Sequence, residues 1–596
     1  MRSPTHNDPF RPAAGYARFV GRVGALAVFL GVGTAIAMPT AHADTGGASP
    51  ARTSASAASD SSASPARASR RSARTATSTG AHPSASLSSL SGSSGRPVTR
   101  TPRVPGRSPG LLTPAVTAAV VTSSTQEISN QVSPLGTPQQ IAREGIAMRS
   151  ANSLPVALMK LVLRLGFLGA ARDQFALVGG PDEANLQALD NAVNEYALAS
   201  AFSEQVLNPM DPAVVTQVAP PHSWYGLNVA GSRLLYDNPD TIYRFIPVNT
   251  TAEYVLTGRI NEGVPADTTF SVLEGTSGTT SSILALADLD ISPDGTFVIT
   301  VSGEPAAAGQ TNHLQLTSNS TLIAARNTLG DWNVEEPMDL AVQKVSGPPN
   351  SLFAQLGGFV FFGSLINDRP ILASLLSVIP PLAIADTALV RGPLTALLML
   401  VRGANQEAKY MALATTDSAT GQLRPPNVMT QPASNAEFLA NQLQSNGYFQ
   451  LANDEALVLT IDPASAGYFT VPVYNDWTIT GDYWNQQTSL NNYQAVPNVG
   501  PNVDGTYTMV VSVADPGVAN WVSTGGLNQG LISMRFQNLD PDSPEVPSVQ
   551  SAVVKLADLP GYLPAGTVFV TPDERTAQLT ARLAGFNKRW APYLQS

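Results

Sequence analysis

Acidic side chains stand close to arginine, tyrosine or asparagine at three places, and these are the first candidates for chemistry. Asp240 precedes Arg244 by four residues, Asp482 is followed by a tyrosine, and Asp515 lies five residues before an asparagine. Two carboxylates placed across a glycosidic bond hydrolyse it without a cofactor. The sequence therefore permits an enzyme that acts on an envelope glycan or lipid with carboxylate, arginine and tyrosine groups. This is one of two hypotheses for its function.

Composition excludes several other kinds of chemistry. The 596 residues contain no cysteine and five histidines, of which only His222 and His313 lie beyond residue 110. A thiolate metal site, a cysteine nucleophile and a histidine-rich zinc site all need more of these residues. Motifs for phosphate loops, dinucleotide binding and serine hydrolases do not occur. We predict neither cofactor nor metal, and a Ser-His-Asp site would have to use one of the two histidines.

Aromatic and amide groups support the second and preferred hypothesis, which is ligand binding. The pairs Tyr483-Trp484 and Asn520-Trp521 could present rings for stacking on sugars, or they could fill a core. In this hypothesis a glycan or a lipid is bound through a polar and aromatic surface. The candidate ligand-binding residues, which are polar or aromatic and lie inside short motifs, are Asn238, Asp240, Arg244, Asn312, His313, Arg326, Asp482, Tyr483, Asn520, Trp521 and Arg535.

Residues 1–43 have the pattern of a secretory signal peptide. Four arginines precede an uncharged apolar run over 23–37, and Ala41-His42-Ala43 offers a small-x-small cleavage site. We predict cleavage after Ala43 and export to the cell envelope or the medium, with no integral membrane segment left after cleavage. The alternative is an uncleaved anchor, although the run is shorter than the ~20 residues that span a bilayer.

Residues 44–122 have the composition of a disordered tether, rich in Ser, Ala, Thr, Pro and Arg. Residues 44–110 contain nine arginines and two aspartates, whereas residues 111–596 carry 21 basic and 41 acidic groups. The basic tether suits anionic wall polymers, lipid headgroups, a glycosylated spacer or a plain solvated linker. The acidic remainder makes nucleic acid an unsuitable partner.

Helical patterns cover two parts of the remaining chain. Residues 123–235 predict helices, one of them apolar and basic around Lys160 and Arg164, which either packs in a core or lies on a membrane. Residues 347–446 form a second, strongly apolar region, cut by prolines and charges into pieces too short to span a bilayer. We predict helices buried against sheets or forming a lid there, with a lipid-binding insert as the alternative.

The rest of the chain predicts strands. Short alternating runs bounded by turn residues fill 236–346 and 447–596, the latter ending in a helix over 573–586. Each of these blocks is long enough for one sandwich. The predicted fold class is therefore mainly β with helical additions, in which two related β-sandwich or jelly-roll modules are separated by an apolar helical insert.

The two strand-rich blocks also resemble each other, which predicts an internal duplication. The offset between matched residues stays between 208 and 214. The matched pairs are Val248 and Ile461, Tyr254 and Tyr468, Asp294 and Asp504, Val301 and Val511, Asn312 and Asn520, and Arg326 and Arg535. Matched residues can be structural features common to both copies, and Asp-Gly-Thr-aromatic is simply good hairpin chemistry.

The motifs of both blocks resemble exported bacterial proteins that carry the domain of unknown function numbered twelve-fourteen, often with a companion numbered twelve-fifty-four. The segments that carry the resemblance are 238–244, 312–314 with Arg326, 331–332, 454–457, 482–483, 488–491, 504–505, 515–521 and 530–535. It extends over about 235–563 apart from the insert. The resemblance implies β-sandwich modules with helical additions and no established reaction. Asn312-His313 departs from the usual Asn-Trp of the family.

Overall fold

A computed structural model describes residues 133–591 apart from 262, 276–277, 368, 435–440 and 500–504. The predicted signal peptide and tether lie outside the described residues. In the described part, strands predominate and helices are added at both ends and in the middle. The fold class predicted from the sequence is thereby confirmed.

Three helices precede the sheets: α1 (Pro138–Ala151), α2 (Leu154–Gln174) and α3 (Glu183–Gln205). Their starts follow ordinary capping chemistry, since the Thr137 side chain accepts a hydrogen bond from the Gln140 amide and Asp182 accepts one from the Asn185 amide. The region predicted as helical over 123–235 also contains three short strands: β1 (Val215–Thr216), β2 (His222–Trp224) and β3 (Leu227–Val229). Runs of two or three residues are too short to show a period.

The first sandwich is built from eight further strands and β1. They are β4 (Thr241–Pro247), β5 (Glu253–Arg259), β6 (Asp267–Glu274), β7 (Thr279–Ala285), β8 (Thr296–Ser302), β9 (His313–Gln315), β10 (Ser320–Thr328) and β11 (Asp339–Ser346). One sheet has the order β1-β4-β10-β6-β7 and the other has the order β11-β5-β8-β9. Ile246, Val272 and Ile323 of the first sheet pack against Leu256 and Ile299 of the second in a buried core.

The insert between the sandwiches is helical. It contains α4 (Leu352–Gln355), α5 (Gly358–Phe361), α6 (Gly363–Ile366), α7 (Pro370–Leu376) and the long α8 (Ala388–Thr415). Helix α8 lies so close to α2 that a Cβ at Gly403 would stand 2.2 Å from a methyl carbon of Leu163.

The second sandwich starts slightly earlier than the predicted residue 447. Its strands are β12 (Ala433–Ser434), β13 (Leu443–Gln450), β14 (Glu455–Asp462), β15 (Tyr468–Tyr474), β16 (Ser489–Asn491), β17 (Tyr507–Ser512), β18 (Trp521–Ser523), β19 (Gln529–Gln537) and β20 (Ser548–Lys555). Phe449, Val471 and Ile532 face Leu459 and Val511 in its core. The chain closes with α9 (Leu559–Tyr562) and α10 (Pro572–Arg589), whose start has a capping box between Thr571 and Glu574.

The two sandwiches have the same strand order. The second consists of sheets β12-β13-β19-β15-β16 and β18-β17-β14-β20, so that β10 corresponds to β19 and β9 to β18, including the parallel pairing of β9 with β8 and of β18 with β17. The sequence matches of Val248 with Ile461 and of Tyr254 with Tyr468 are both wrong by one strand. Val248 follows β4, whereas Ile461 lies on β14, the counterpart of β5; Tyr254 lies on β5, whereas Tyr468 lies on β15, the counterpart of β6. Arg326 and Arg535 do occupy equivalent strands.

Candidate functional site: a cleft lined by arginines

A cleft lies where the five-stranded sheets of the two sandwiches meet helices α3 and α8. The space within it, including the part open to solvent, is about 1330 Å³. Strands β4, β10, β13 and β19 all contribute alternate residues, because side chains that point away from a sandwich core point into the cleft. On β4, for example, Thr241, Tyr243 and Phe245 line the cleft, whereas Ile246 lies in the core.

Equivalent arginines of the two modules enter the cleft. Arg326 on β10 donates to the Ser271 hydroxyl at 3.1 Å, and Arg535 on β19 donates to the Tyr474 hydroxyl at 2.8 Å and to the Tyr236 carbonyl. Both side chains are buried. Burial lowers the pKa of Arg326; the Tyr243 and Tyr410 phenols and the Asp267 carboxylate act against this, and the positive charge of Arg535 adds to it. Two cations at close range favour an anion between them.

A third arginine comes from the insert. Arg402 on α8 lines the cleft, and burial lowers its pKa with only the Tyr196 phenol acting in the opposite direction. Its Nε is buried without a hydrogen-bond partner. Among the described residues, neither Arg402 nor Arg535 forms an ion pair with a carboxylate. A buried cation without a counter-ion is costly, so this arrangement is suited to an anionic ligand.

Two further polar groups in the cleft are unpaired. The Tyr236 hydroxyl and the Gln537 Oε1 are buried, and neither has a partner within the described structure. Tyr236 is held in place by its amide, which donates to the Thr478 carbonyl at 2.9 Å, and by a left-handed backbone at φ 61°. Strained backbone and unpaired polar atoms together are typical of binding sites.

Asp237 is the only carboxylate among the described residues that line the cleft. Burial raises its pKa to about 6, although Arg233 and a hydrogen bond from the Thr480 hydroxyl at 2.6 Å partly offset this. The described lining thus has three cations and one acid. Apolar atoms make up the larger part of the lining surface, through Leu234, Leu235, Leu273, Leu322, Leu398, Val218 and Phe245, and five glutamines and four tyrosines also line the cleft.

Three of the sequence-predicted residues line the cleft, namely Asn238, Arg326 and Arg535. Asn238 is fixed at its edge, since its Nδ2 donates to the Tyr468 hydroxyl at 3.0 Å. Arg244 is close in sequence but lies on the opposite face of β4, where it donates to the Met338 carbonyl at 2.6 Å and to Asn327. Strand alternation therefore separates Arg244 from the cleft.

Asp240 is buried among donors outside the cleft. It accepts hydrogen bonds from the Trp332 indole at 2.8 Å and from the Tyr468 hydroxyl at 2.7 Å. The guanidinium groups of Arg582 and Arg589 both pack on the Trp332 ring, at 4.2 and 4.0 Å from its centroid. This cluster attaches α10 to the first sandwich.

Asn312 and Asn520 occupy equivalent turns and make equivalent bonds. Asn312 exchanges two hydrogen bonds with the backbone of Asp290, and Asn520 exchanges two with the backbone of Val496. Each also offers its carbonyl to the neighbouring strand. Their roles are those of structural turn residues.

The neighbours of these asparagines are likewise engaged. His313 contacts the Thr300 hydroxyl at 2.8 Å and the Glu304 carbonyl at 2.9 Å. The guanidinium of Arg575 lies over Trp521, 5.1 Å from the centroid of the indole ring. Neither residue lines the cleft.

Asp482 and Asp515, the other two carboxylates of the enzyme hypothesis, do not lie in a common site. Asp482 accepts from Asn485 in a local turn, and Asp515 pairs with Arg575 at 2.9 Å. Tyr483 is buried between Trp332 and Phe586. Within the described ranges, no group of three or more His, Cys, Asp or Glu is placed to hold a metal ion.

Sequence reasoning missed Arg402, Tyr236 and Gln537. Arg402 gave a signal, since it is one of few charges in the long apolar stretch of the insert. No feature of the sequence indicated that the loop residue Tyr236 would line the site.

The solved structures similar to the chain include the following two. An uncharacterized protein from Burkholderia cenocepacia aligns with 69% of this chain and 99% of its own, at 21% identity and a TM-score of 0.48. The VPA0106 protein from Vibrio parahaemolyticus aligns with 53% of this chain and 90% of its own, at 12% identity and a TM-score of 0.29. No family model and no curated protein matches. The resemblance to the twelve-fourteen domain stays a prediction.

Proposed function

We propose that this chain binds an amphipathic anion, a lipid-like molecule with an apolar body and a carboxylate or phosphate group, in the cleft. The observation that carries the proposal is the set of three arginines, Arg326, Arg402 and Arg535, in a mostly apolar cleft with a single described carboxylate. Guanidinium groups pair with carboxylates and phosphates through two parallel hydrogen bonds. The leucines of the lining would contact the apolar body.

A lipid-like ligand fits better than a glycan. Sugar binding through stacking needs exposed rings, but Tyr483 is buried and Trp521 is partly covered by Arg575. The enzyme alternative has less support in this cleft, because hydrolysis with paired carboxylates requires a second acid beside Asp237.

Export and duplication belong to the same proposal. The signal-like N-terminus supports a role in the cell envelope or the medium, where acidic lipids occur. The shared strand order of the sandwiches supports an origin by duplication, after which equivalent arginines came to face one ligand site.

The test starts with the full chain and an anionic probe. 1-Anilinonaphthalene-8-sulfonate, an aromatic sulfonate that brightens in apolar sites, is titrated and then displaced with oleate, while extracts of the purified protein are analysed by mass spectrometry. We expect Arg402→Gln to weaken oleate binding about tenfold or more, since a hydrogen bond to a charged group is worth ~1.5–3 kcal/mol. Arg259→Gln, at an exposed position on β5, should leave binding unchanged.

Tyr236→Phe provides the second variant. Because the hydroxyl has no hydrogen-bond partner among the described residues, its removal should leave the free energy of unfolding unchanged or slightly higher. Oleate affinity should nevertheless fall by about two- to tenfold if the ligand uses this group. Tyr562→Phe, at an exposed tyrosine, is the control. Equal oleate affinity in Arg402→Gln, Tyr236→Phe and the parent chain would reject the proposal.

A further inference from the structure

Helix α2 exposes a stripe of leucines to solvent. Leu154, Leu158, Leu161 and Leu165 recur at helical spacing on one face and are 73%, 37%, 61% and 64% exposed. The opposite face packs in the core through Met159, Leu163 and Phe167. Within the described chain, α2 is the one helix long and apolar enough to cross a membrane by length and composition. With one face packed in the protein, it is instead suited to lie along an interface.

The insert exposes a second apolar stretch. Residues 370–389 contain a single charged residue, Asp386, which pairs with Arg391 at 2.5 Å. Eight large aliphatic side chains are exposed there: Ile371, Leu375, Leu376, Val378, Ile379, Leu382, Ile384 and Leu389. Surfaces of this kind on soluble proteins mark binding to a protein or a membrane.

The two stretches approach each other where α2 and α8 begin. A Cβ at Gly392, on the first turns of α8, would stand 2.4 Å from the Ser153 hydroxyl. Leu154 follows Ser153 directly, and Leu389 lies one turn before Gly392. We refer to the exposed leucines of α2 and the eight residues of the insert together as the apolar face.

The charges at the apolar face indicate its partner. Helix α2 carries three cations, Lys160, Arg164 and Arg172, and one acid, Asp173, although residues 111–596 carry about twice as many acids as bases. Arg164 pairs with Asp190 on the surface at 2.5 Å, a contact worth little in water. Segment 370–390 has no aromatic residue and no arginine, the types that dominate protein interfaces. An apolar surface beside cations is complementary to anionic headgroups above acyl chains.

We propose that the apolar face docks on the surface of an anionic phospholipid bilayer. The leucines of α2 and the aliphatic residues of the insert enter the boundary of the acyl chains, and Lys160, Arg164 and Arg172 meet the headgroups. The proposal does not depend on the cleft. It would bring α8, which carries both Leu389 and Arg402, to the membrane.

The absence of cysteine from the chain makes a direct test available. Single-cysteine variants Leu161→Cys and Leu375→Cys are labelled with a nitrobenzoxadiazole dye and mixed with vesicles of phosphatidylcholine and phosphatidylglycerol. Val298→Cys on β8 and Val546→Cys, both exposed aliphatic positions elsewhere, are the controls. We expect a blue shift and brighter emission at positions 161 and 375 only. This readout separates insertion of the apolar face from adhesion of the arginine-rich residues 44–110.

Affinity gives the second readout. Leu161→Glu combined with Leu375→Glu should weaken vesicle binding at high salt by about tenfold or more, because two side chains lose apolar burial. Lys160→Gln should weaken binding at low salt by about fivefold. The Glu variants should keep the circular dichroism spectrum of the parent, since both positions are exposed.

Two results would overturn the proposal. One is emission at positions 161 and 375 that responds to vesicles no more than at 298. The other is a dimer, seen by sedimentation, that Leu161→Glu dissociates while the parent chain leaves vesicles unbound, because the face would then be an interface between copies of this chain.

Discussion

At the scale of single residues, Asp240 satisfies two buried donors. Its carboxylate accepts from Trp332 and Tyr468, so replacing it leaves these donors in competition for one amide oxygen. We expect Asp240→Asn to lower the free energy of unfolding by ~1–3 kcal/mol in urea titrations while oleate affinity stays unchanged. Asp482→Asn, in a local turn nearer the surface, should cost less. Lost ligand binding with unchanged stability would instead place Asp240 in the site.

Glu407 makes stability depend on pH. It is buried on α8, and burial raises its pKa to about 8, with the Thr478 hydroxyl offsetting part of the effect. A carboxyl whose pKa is raised in the folded state binds more protons there than in the unfolded chain. Its contribution is therefore complete below its ordinary pKa of 4.5 and is lost as pH rises towards 8.

The measurement compares Glu407→Gln with the parent chain. Each unit of pKa shift corresponds to about 1.4 kcal/mol, so the parent should lose on the order of a few kcal/mol relative to the variant between pH 5 and pH 8. Urea titrations across this range give the difference directly. Parallel pH profiles for the two proteins would contradict the raised pKa.

At the scale of elements, the contact between α2 and α8 depends on a missing side chain. A methyl group at Gly403 would collide with Leu163 at 2.2 Å, whereas a methyl group at Gly169 on α2 has no heavy atom within 4 Å. We expect Gly403→Ala to destabilise the protein by ~1–3 kcal/mol in spite of its better helix propensity. Gly169→Ala should stabilise it by up to ~1 kcal/mol. If Gly403→Ala and Gly169→Ala shifted the melting temperature equally, α2 and α8 would be able to move apart and admit the methyl group without a loss of stability.

Element type was predictable wherever a period extended over several residues. Strands β4 to β11 all lie inside the strand-rich block predicted over 236–346, and helix α10 lies within three residues of the predicted 573–586, because alternation and capping are local properties of the sequence. The match of Tyr254 with Tyr468 failed by a strand, since similar short motifs recur on neighbouring strands. Topology, which only the fold supplies, was needed to correct it.

The site was less predictable, because it forms between elements. Tyr243 and Arg244 are adjacent, yet only Tyr243 faces the cleft. Arg326 was chosen from its motif, but nothing local indicated that Arg402 of the insert would line the same cleft. A motif within one block cannot indicate which faces of two sheets and a helix will converge.

At the scale of the whole molecule, the two sandwiches are joined by many buried polar contacts. Arg233 forms an ion pair with Glu195 on α3 at 2.5 Å and donates to the carbonyls of Thr480 and Gly481 at 2.8 Å. Asn491 of the second sandwich donates to the Gly330 carbonyl of the first at 3.0 Å. A cleft formed by both modules requires this fixed geometry.

These contacts predict that the described part of the chain unfolds in one cooperative step. Circular dichroism, tryptophan fluorescence and hydrogen exchange at β10 and β19 should give coincident urea transitions. Arg233→Ala should shift all of them together by ~3–5 kcal/mol, because it leaves Glu195 buried without its partner and frees two carbonyls. Arg164→Ala, which breaks an exposed ion pair, should cost less than about 1 kcal/mol. If Arg233→Ala instead splits the transition, so that β10 and β19 exchange at different urea concentrations, each sandwich is stable alone and the cleft is an interface between two independent units.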